Sequence, residues 1–232
     1  MGKAALITGA TKGIGQAIAH RLADDGYDLF LLGRDKNALQ AVKGECDTRG
    51  VQSAWLAGDL LDENYVCKAV AAALDKFGQI DVLINNAGMA SRQAVQSADI
   101  GSWRGVMDLN FTAIMVLCRE VLPLMVERQQ GAVINISSIS GRNTHAGGAI
   151  YSASKHALNG FSGCMYEDVR DFGIKVSTIM PGFVDTALTG ELGLNVAHMI
   201  QPQDIADAVF YILGTSSTCC PTEIVIRPQQ RP

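Results

Sequence analysis

Tyr151 and Lys155 stand four residues apart in a stretch of helical character, so both side chains project from one helix face. A free tyrosine has a pKa of about 10, and a nearby ammonium group favours the phenolate and lowers that pKa. We therefore expect Tyr151 to exchange a proton near neutral pH. A tyrosine and a lysine at this spacing also occur on solvated helix surfaces, so the pair alone does not establish a site.

Two further polar features could act beside this pair. The segment Asn135–Ser140 carries three serines, and the hydroxyl of any of them could donate a hydrogen bond to a carbonyl oxygen. Residue type alone does not choose among Ser137, Ser138 and Ser140. Asn110 lies in an otherwise apolar helical stretch, where a buried amide needs hydrogen-bond partners. A hydrogen bond within its own helix is the alternative interpretation of Asn110.

A glycine-rich turn, Thr8–Gly15, joins the first predicted strand to the first predicted helix. Glycines at such a turn let the backbone approach a pyrophosphate, and the helix N-terminus supplies N–H donors and the positive end of the helix dipole. The turn therefore predicts a dinucleotide-binding site, although isolated glycine triplets also arise in ordinary turns. Its spacing, Gly-x3-Gly-x-Gly, has a wider first gap than the commoner dinucleotide fingerprint.

The end of the second predicted strand indicates which dinucleotide binds. A protein that prefers NAD places a carboxylate there for the ribose 2'-hydroxyl, but this position is Gly33, and Arg34 follows it. Arg34 and Lys12 are two cations suited to a 2'-phosphate, so the sequence predicts NADP(H) as the cofactor. Asp35 is the residue that could reach the ribose instead, whereas Asp28 lies at the wrong end of its strand.

Short apolar runs alternate with amphipathic stretches of helical length along the whole chain. Most of these runs are nearly continuous in apolar residues, as in parallel strands buried on both faces. The seven runs are Ala4–Ile7, Asp28–Leu32, Ser53–Ala57, Asp81–Asn85, Gly131–Ser137, Lys175–Met180 and Glu223–Ile226. The pattern predicts an α/β fold with a doubly wound, Rossmann-type parallel sheet and helices on both faces. We expect residues 1–232 to form one domain, with the irregular connection 181–202 as a lid over the substrate.

Composition and charge exclude several classes of function. The chain is 48% hydrophobic and 18% charged, as folded proteins are, and its net charge of -4 argues against nucleic acid as a partner. The densest apolar run is Ala113–Cys118, far short of the ~20 residues of a membrane span. We also expect no metal site, because no His, Cys, Asp or Glu residues show metal-ligand spacing.

The six cysteines bear on the cellular location. They form no CxxC pair, and a chain of this size does not need disulfides, so we expect reduced thiols and a cytoplasmic location. The adjacent Cys219 and Cys220 could be a redox pair. Small residues before a final strand are the simpler interpretation.

Three motifs together resemble those of the short-chain dehydrogenase/reductase family. They are the glycine turn that begins at Thr8, the sequence Asn-Asn-Ala-Gly that ends at Gly88, and Tyr151-x3-Lys155. They occur in the family's order over nearly the whole chain. The cofactor contacts that the resemblance implies are Gly9, Thr11, Lys12, Gly13, Ile14, Gly15, Arg34, Asp59, Leu60, Asn86, Ala87, Gly88, Tyr151, Lys155, Pro181, Gly182, Val184 and Thr186.

The same resemblance implies a role for each candidate catalytic residue. Tyr151 is the general acid, and Lys155 lowers its pKa and holds the cofactor ribose. Ser138, thirteen residues before the tyrosine, orients the substrate carbonyl, which leaves Ser137 and Ser140 to satisfy local backbone groups. Asn110 continues a proton relay from the lysine. These roles describe hydride transfer between NADPH and a ketone or aldehyde, with alcohol oxidation as the reverse reaction.

Other functions with the same fold remain as alternatives. A dinucleotide sensor without chemistry would not need the asparagine, serine, tyrosine and lysine together. Epimerases and lyases that share Tyr-x3-Lys have another glycine spacing and a longer substrate domain. The overall pattern is similar to 3-oxoacyl-carrier-protein reductases, whereas the segment Thr222–Pro232 is more like that of hydroxy acid, serine and sepiapterin-type reductases.

Two helical stretches predict self-association. The stretches Phe111–Met125 and Tyr151–Val169 are more apolar than packing on one sheet face requires. The family pairs these helices across a two-fold axis. We therefore expect a homodimer or homotetramer that acts on a small-molecule carbonyl or alcohol.

Overall fold

Seven strands form a single sheet in which every neighbouring pair is parallel. The computed structural model describes residues 2–232, apart from the side chain of Glu191. The strands are β1 Ala4–Thr8, β2 Asp28–Gly33, β3 Ser53–Ala57, β4 Val82–Asn85, β5 Gly131–Ile136, β6 Ile174–Pro181 and β7 Glu223–Ile226. The predicted doubly wound sheet is confirmed, and no strand end differs from its predicted position by more than one residue.

Helices cover both faces of this sheet. They are α1 Gly13–Asp24, α2 Lys36–Asp47, α3 Glu63–Phe77, α4 Ile100–Met107, α5 Ala113–Arg128, α6 Ala149–Val169 and α7 Pro202–Gly214. Alternate residues of β1 enter different layers: Ile7 packs in the cluster that includes α1, α2 and α7, whereas Leu6 packs in the cluster that includes α3, α5 and α6. Successive side chains of a strand point to opposite faces, so each strand contributes to two cores.

The strand order creates a crevice at one edge of the sheet. From β1 the chain first adds β2 and β3 on one side, and then β4, β5, β6 and β7 on the other. The connections after β1 and β4 therefore leave the sheet in opposite directions. Ligands of doubly wound sheets bind at such a switch point, outside the carboxyl ends of the strands.

The helical segment 100–128 is interrupted by one π-helical turn. This turn, Asp108–Thr112, joins α4 to α5 and contains the buried Asn110. The sequence predicts an ordinary helix there, because its apolar spacing does not reveal one wider turn. Such π-turns are frequent at functional sites.

The same segment, Ile100–Arg128, is long and apolar enough by length and composition to cross a membrane. Its longest uninterrupted apolar run is nevertheless short, because charged residues such as Arg119 and Glu120 interrupt it. Helices in the core of soluble proteins pass the same test. In this fold one side of α5 is buried in the sheet layer through residues such as Leu117 and Val121, both fully buried.

The connection 181–202 is irregular, as predicted, and is attached to the body at its base. Val184 and Ile200 form an isolated parallel bridge, and both side chains are buried. Two short 3-10 turns, Gly190–Leu192 and Val196–His198, lie between them. The outer part of the connection is solvent-exposed, with Leu188 among its exposed apolar side chains.

Candidate active site

The Thr8 hydroxyl joins the ends of β1 and β4 at the switch point. It accepts hydrogen bonds from the backbone N–H groups of Asn86 (2.9 Å) and Ala87 (3.0 Å), and it donates to Ile84 O at 3.2 Å. The Asn86 side chain returns to β1, where its Nδ2 donates to the carbonyl oxygens of Thr8 and Gly9. These contacts hold the predicted asparagine motif directly against the predicted glycine turn.

The glycine turn is packed so closely that two of its positions exclude any side chain. Gly9 has a φ of 64° and lies against the backbone of Ala87. A Cβ atom on Gly15 would lie 2.2 Å from Gly9 O. The contact joins the first and last glycines of the motif, so the start of α1 lies directly against the end of β1.

The N-terminus of α1 is open to a ligand. The helices α2, α3 and α4 each begin with an aspartate whose carboxylate accepts backbone N–H groups of the first turn. The N-cap residue of α1 is Lys12, which makes no side-chain capping bond, and the first turn of α1 carries no acidic residue. Uncapped N–H groups beside a glycine turn suit a phosphate group.

The residues at the end of β2 bear on whether the site suits a dinucleotide with a ribose 2'-hydroxyl or one with a 2'-phosphate. Gly33 is the last residue of β2, where a Cβ atom would lie 2.9 Å from the methyl group of Thr11. Arg34 and Lys12 are exposed, and neither makes an ion pair with any side chain that the structure describes. The Asp35 carboxylate is engaged elsewhere: Oδ1 accepts from the N–H groups of the first turn of α2 at 2.9 and 3.1 Å.

Asp35 is therefore an N-cap, and its carboxylate points to its own helix. Asp28, at the start of β2, accepts from Gln52 N at 2.8 Å and is distant from the carboxyl edge. Neither aspartate stands at the last position of β2, where a carboxylate would accept from a ribose 2'-hydroxyl, and Asp35 Oδ1 is already bound by α2. The two cations at this edge remain available for a 2'-phosphate.

The remaining predicted cofactor residues follow the strands of the same edge. Asp59 and Leu60 follow β3, with Asp59 Oδ1 accepting from Leu61 N at 3.1 Å. Gly182 follows β6, and its N–H donates to Ile226 O in β7. The Thr186 methyl group would lie 3.1 Å from a Cβ atom on Gly13, so the base of the connection 181–202 touches the glycine turn.

Val184 is placed differently from the other predicted cofactor residues. Its side chain is buried in the core beside α7 and is only 4% exposed. Its carbonyl oxygen accepts from the Thr189 hydroxyl. Only the backbone of Val184 could therefore contact a ligand in the crevice.

Lys155 is buried beneath the ring of Tyr151 on α6. Its Nζ lies 5.9 Å from the centroid of that ring and donates to Ile136 O, at the end of β5, at 2.9 Å. Burial disfavours the charged form and lowers the pKa of Lys155 to about 8. The ammonium form has donors left for a further partner.

The pKa of Tyr151 is subject to opposing effects. Burial is the largest effect and raises the pKa, whereas the nearby Ser138 side chain and the positive charge of Arg92 lower it. The net direction in this structure is upward. The lowering groups are thus Ser138 and Arg92, and the lysine, which sequence reasoning expected to act on the phenol, faces the aromatic ring.

Ser138 begins a short 3-10 turn, Ile139–Gly141, directly after β5. Its Oγ accepts from Ser140 N at 3.0 Å, and Ser138 itself is 8% exposed. Ser137 differs from the expectation that it satisfies nearby backbone: its hydroxyl donates to the Asn159 side chain at 2.6 Å. Of the three serines, Ser138 is the one that lies beside Tyr151.

Asn110 connects the π-turn to two other segments and makes no side-chain hydrogen bond within its own helix. Its Oδ1 accepts from Met89 N, and its Nδ2 donates to Met89 O, both at 2.9 Å. Nδ2 also donates to Ser154 Oγ, which in turn donates to the Tyr151 carbonyl oxygen. A Cβ atom on Gly88 would lie 3.2 Å from Asn110 Oδ1, so the asparagine motif, the π-turn and α6 meet at this point.

Sequence reasoning overlooked Arg92 and Asn159. Arg92 lies in the loop after the asparagine motif, and its charge acts on Tyr151. Asn159 stands one turn beyond Lys155 and bonds Ser137. The spacing Tyr151, Lys155, Asn159 is a signal that could have identified the second residue, whereas nothing in the sequence pairs Arg92 with the tyrosine.

The fold and this cluster define a dinucleotide-binding α/β enzyme with a tyrosine, a lysine and a serine at the carboxyl edge of its sheet. The family model for short chain dehydrogenases matches residues 3–197. An uncharacterised oxidoreductase of Staphylococcus saprophyticus is 34% identical over 227 residues, which cover 97% of both chains. One of Staphylococcus aureus is 34% identical over 226 residues, with the same coverage.

Two solved structures, an oxidoreductase and an alcohol dehydrogenase, are also similar to this chain. A metagenomic short-chain oxidoreductase in complex with NADP superimposes with a TM-score of 0.87 at 32% identity, covering 99% of this chain and 98% of that one. An alcohol dehydrogenase from the archaeon Thermococcus sibiricus, complexed with 5-hydroxy-NADP, has a TM-score of 0.93 at 25% identity, with 100% and 99% covered. This chain belongs to the short-chain dehydrogenase family and is an oxidoreductase of that family.

Proposed function

We propose that this protein is an NADP(H)-dependent oxidoreductase that interconverts a ketone or aldehyde and the corresponding alcohol, with Tyr151 as the general acid and base. The observation that carries the proposal is the position of Ser138, Tyr151 and the buried Lys155 at the same sheet edge as the open glycine turn. The similar metagenomic oxidoreductase is in complex with NADP, and a similar actinorhodin polyketide ketoreductase, 28% identical with a TM-score of 0.89, is in complex with NADPH.

NADP(H), when bound, supplies or accepts the hydride. The Ser138 hydroxyl orients the substrate oxygen, and the Tyr151 phenol gives its proton to that oxygen as negative charge develops there. The Lys155 ammonium, held by Ile136 O, keeps positive charge next to the tyrosine and has donors left for the cofactor ribose. Asn110 holds Met89 and Ser154 in place and supports the proton relay.

The protein's own residues fit the cofactor. The uncapped start of α1 suits the pyrophosphate, and the glycines that exclude side chains let it approach the backbone. Arg34 and Lys12 suit the 2'-phosphate, since Asp35 caps α2. The connection 181–202 forms the lid, which contacts the glycine turn through Thr186.

The substrate carries an anionic group near its carbonyl, and Arg92 binds it. The loop that carries Arg92 is fixed at one end by the Asn110 side chain, which bonds Met89, and at the other by Gln93 N, which donates to Gly147 O at 3.0 Å. Arg92 is exposed and makes no side-chain hydrogen bond or ion pair with the described residues, although its charge acts on Tyr151. An unpaired guanidinium whose charge reaches Tyr151 suits a carboxylate or a phosphate on the substrate.

The protein functions as a cytoplasmic homodimer or higher oligomer. An apolar groove of about 410 Å³ runs between α5 and α6 and is lined by residues that include Met115, Leu122 and Phe161. Arg119 and Asp168 also line it, so one copy presents both signs of charge to a symmetric second copy. At micromolar concentration, light scattering should give at least twice the chain mass of 24.7 kDa. A monomeric mass would contradict this assembly.

We expect Arg34→Ala to lower kcat/KM for NADPH about tenfold or more and to leave kcat/KM for NADH nearly unchanged. A charge-assisted hydrogen bond to a phosphate contributes roughly 1.5–3 kcal/mol, and only NADPH carries the 2'-phosphate. Steady-state kinetics with both cofactors measure this. Asp35→Ala is the matched control: it should cost about 1 kcal/mol of unfolding free energy through the lost cap and should not reduce the preference for NADPH.

Wild-type protein should oxidise NADPH with at least one member of a panel of 3-oxo acids, their esters, aldehydes and diketones. Tyr151→Phe should reduce kcat by roughly 10²–10⁴, because general acid catalysis contributes that much, and should leave the NADPH dissociation constant unchanged. Fluorescence titration and turnover measure the two quantities. Tyr166→Phe, on the same helix, should retain full activity.

Lys155→Met contrasts with the tyrosine variant. It removes a cofactor ligand as well as a charge, so NADPH affinity should fall together with kcat. Retention of more than about a tenth of kcat in Tyr151→Phe would show that another group supplies the proton.

Arg92→Gln should raise KM for a 3-oxo acid about tenfold and leave KM for its methyl ester unchanged, because only the acid can pair with the guanidinium. Arg104→Gln removes the same charge from an exposed arginine of α4 and should change neither value. Equal effects of Arg92→Gln on the acid and the ester would exclude an anionic substrate group at this position.

A further inference from the structure

We propose that Asn159 is a positioning residue of this reaction: its side-chain amide holds the turn that carries Ser138 at a fixed place against the helix that carries Tyr151 and Lys155. The inference rests on the proposed function of those three residues. Asn159 touches neither the substrate nor the cofactor in this role. It acts on the relative position of the groups that do.

One amide group clamps both ends of the serine turn. Asn159 Oδ1 accepts from the Ser137 hydroxyl at 2.6 Å, immediately before Ser138. Asn159 Nδ2 donates to Gly141 O at 3.0 Å, at the last residue of the turn. Within the turn, Gly141 N donates to Ser138 O at 2.9 Å, so the clamped segment has little freedom of its own. Displacement of Ser138 along α6 would break at least one of these contacts.

The clamp starts from the reactive face of α6. Tyr151, Lys155 and Asn159 are spaced four residues apart, so their side chains lie on one stripe of the helix over successive turns. The helix backbone is rigid over this distance. A contact made by Asn159 therefore fixes the serine turn relative to the tyrosine and the lysine together.

Close packing at Gly141 makes the contact specific. A Cβ atom on Gly141 would lie 2.5 Å from Asn159 Nδ2 and 2.9 Å from Lys155 O. The turn therefore lies directly on α6, with no space for a water molecule or a side chain between them. Asn159 Nδ2 also lies 3.4 Å from Met180 Sδ, near the end of β6. The amide thus joins α6 to the ends of two strands.

The position of Ser138 affects the chemistry in two ways. Its hydroxyl orients the substrate oxygen, and misplacement of such a group by about 1 Å can cost roughly 10²-fold in rate. Its side chain, beside Tyr151, also lowers the pKa of the phenol. If Ser138 moves away, that lowering is lost, and the pKa of Tyr151 rises.

Ser162 provides a matched control on the same helix. Its hydroxyl accepts from Asn135 Nδ2 at 2.8 Å and donates to Leu158 O at 2.6 Å, and the residue is 4% exposed. Like Asn159, it links α6 to β5 through a polar side chain. Unlike Asn159, it has no hydrogen bond to the segment 137–141. Ser162→Ala should therefore lower stability without displacing Ser138.

The experiment measures kcat, KM and pH–rate profiles of wild type, Asn159→Ala, Ser137→Ala and Ser162→Ala with the best carbonyl substrate of the panel. Asn159→Ala should lower kcat about 10- to 100-fold with an unchanged NADPH dissociation constant. The reduction reaction needs protonated Tyr151, so its alkaline decline should move to higher pH. The alcohol oxidation needs the phenolate, so its rise should also move to higher pH.

Ser137→Ala removes only one arm of the clamp and should show a smaller effect in the same direction. It keeps the proposal testable if Asn159→Ala does not fold. The loss of kcat in the double variant Asn159→Ala/Ser137→Ala should be smaller than the sum of the two single losses in free-energy terms, because both substitutions break the same Ser137–Asn159 hydrogen bond. Thermal unfolding of all variants separates stability from rate.

Two outcomes would overturn this role of Asn159. One is a pH profile of Asn159→Ala identical to that of wild type, and the other is equal losses of kcat in Asn159→Ala and Ser162→Ala. Failure of the proposed function gives a different result: wild-type protein would not oxidise NADPH with any carbonyl, or Tyr151→Phe would retain its activity.

Discussion

The hydrogen bonds of the Thr8 hydroxyl join the end of β1 to the end of β4, and the position of the whole site depends on this junction. At the switch point the chain leaves β1 and β4 in opposite directions, which opens a crevice between two strands that remain paired below it. Thr8 accepts from two backbone N–H groups of the β4 connection and thereby prevents the crevice from widening at its floor. Because Thr8 is only 1% exposed, no water competes for these donors. The glycine turn and the asparagine motif keep their relative positions for this reason.

A second constraint is the burial of the Lys155 charge beside Tyr151. Lys155 is 4% exposed, and its one hydrogen bond to the described protein is to the end of β5. Burying an ammonium group with so few partners costs free energy, which is reflected in the lowered pKa of the lysine. Buried charged groups of this kind are found mainly at functional sites. An anionic partner, such as a phenolate, would offset the free energy of burying the ammonium group. This burial agrees with the proposed role of Tyr151, in which negative charge develops on the phenol beside the lysine.

Three layers of contacts then determine the geometry around Tyr151. The π-turn places Asn110 between the asparagine motif and α6. The Asn159 amide holds the serine turn on the next part of the same helix. The loop of Arg92 closes the other side through its bond to Gly147 O. The first two contacts join α6 to the segments that follow β4 and β5, and the third reaches the residue two positions before α6, so the candidate site residues are aligned against α6 and its start.

The sequence by itself determined the sheet, the glycine turn and the family of this protein. Buried parallel strands require continuous apolar runs, and a backbone that approaches within 2.2 Å of a would-be Cβ requires glycine, so both constraints are visible in residue types. Local spacing also placed Tyr151 and Lys155 on one helix face. The tertiary structure decided which partner each polar side chain takes. Asp35 caps α2, Ser137 bonds Asn159 twenty-two residues away, and Asn110 bonds Met89 twenty-one residues away. A hydrogen bond depends on distances of a few tenths of an ångström between segments distant in the chain, and periodicity and composition carry no information about such distances.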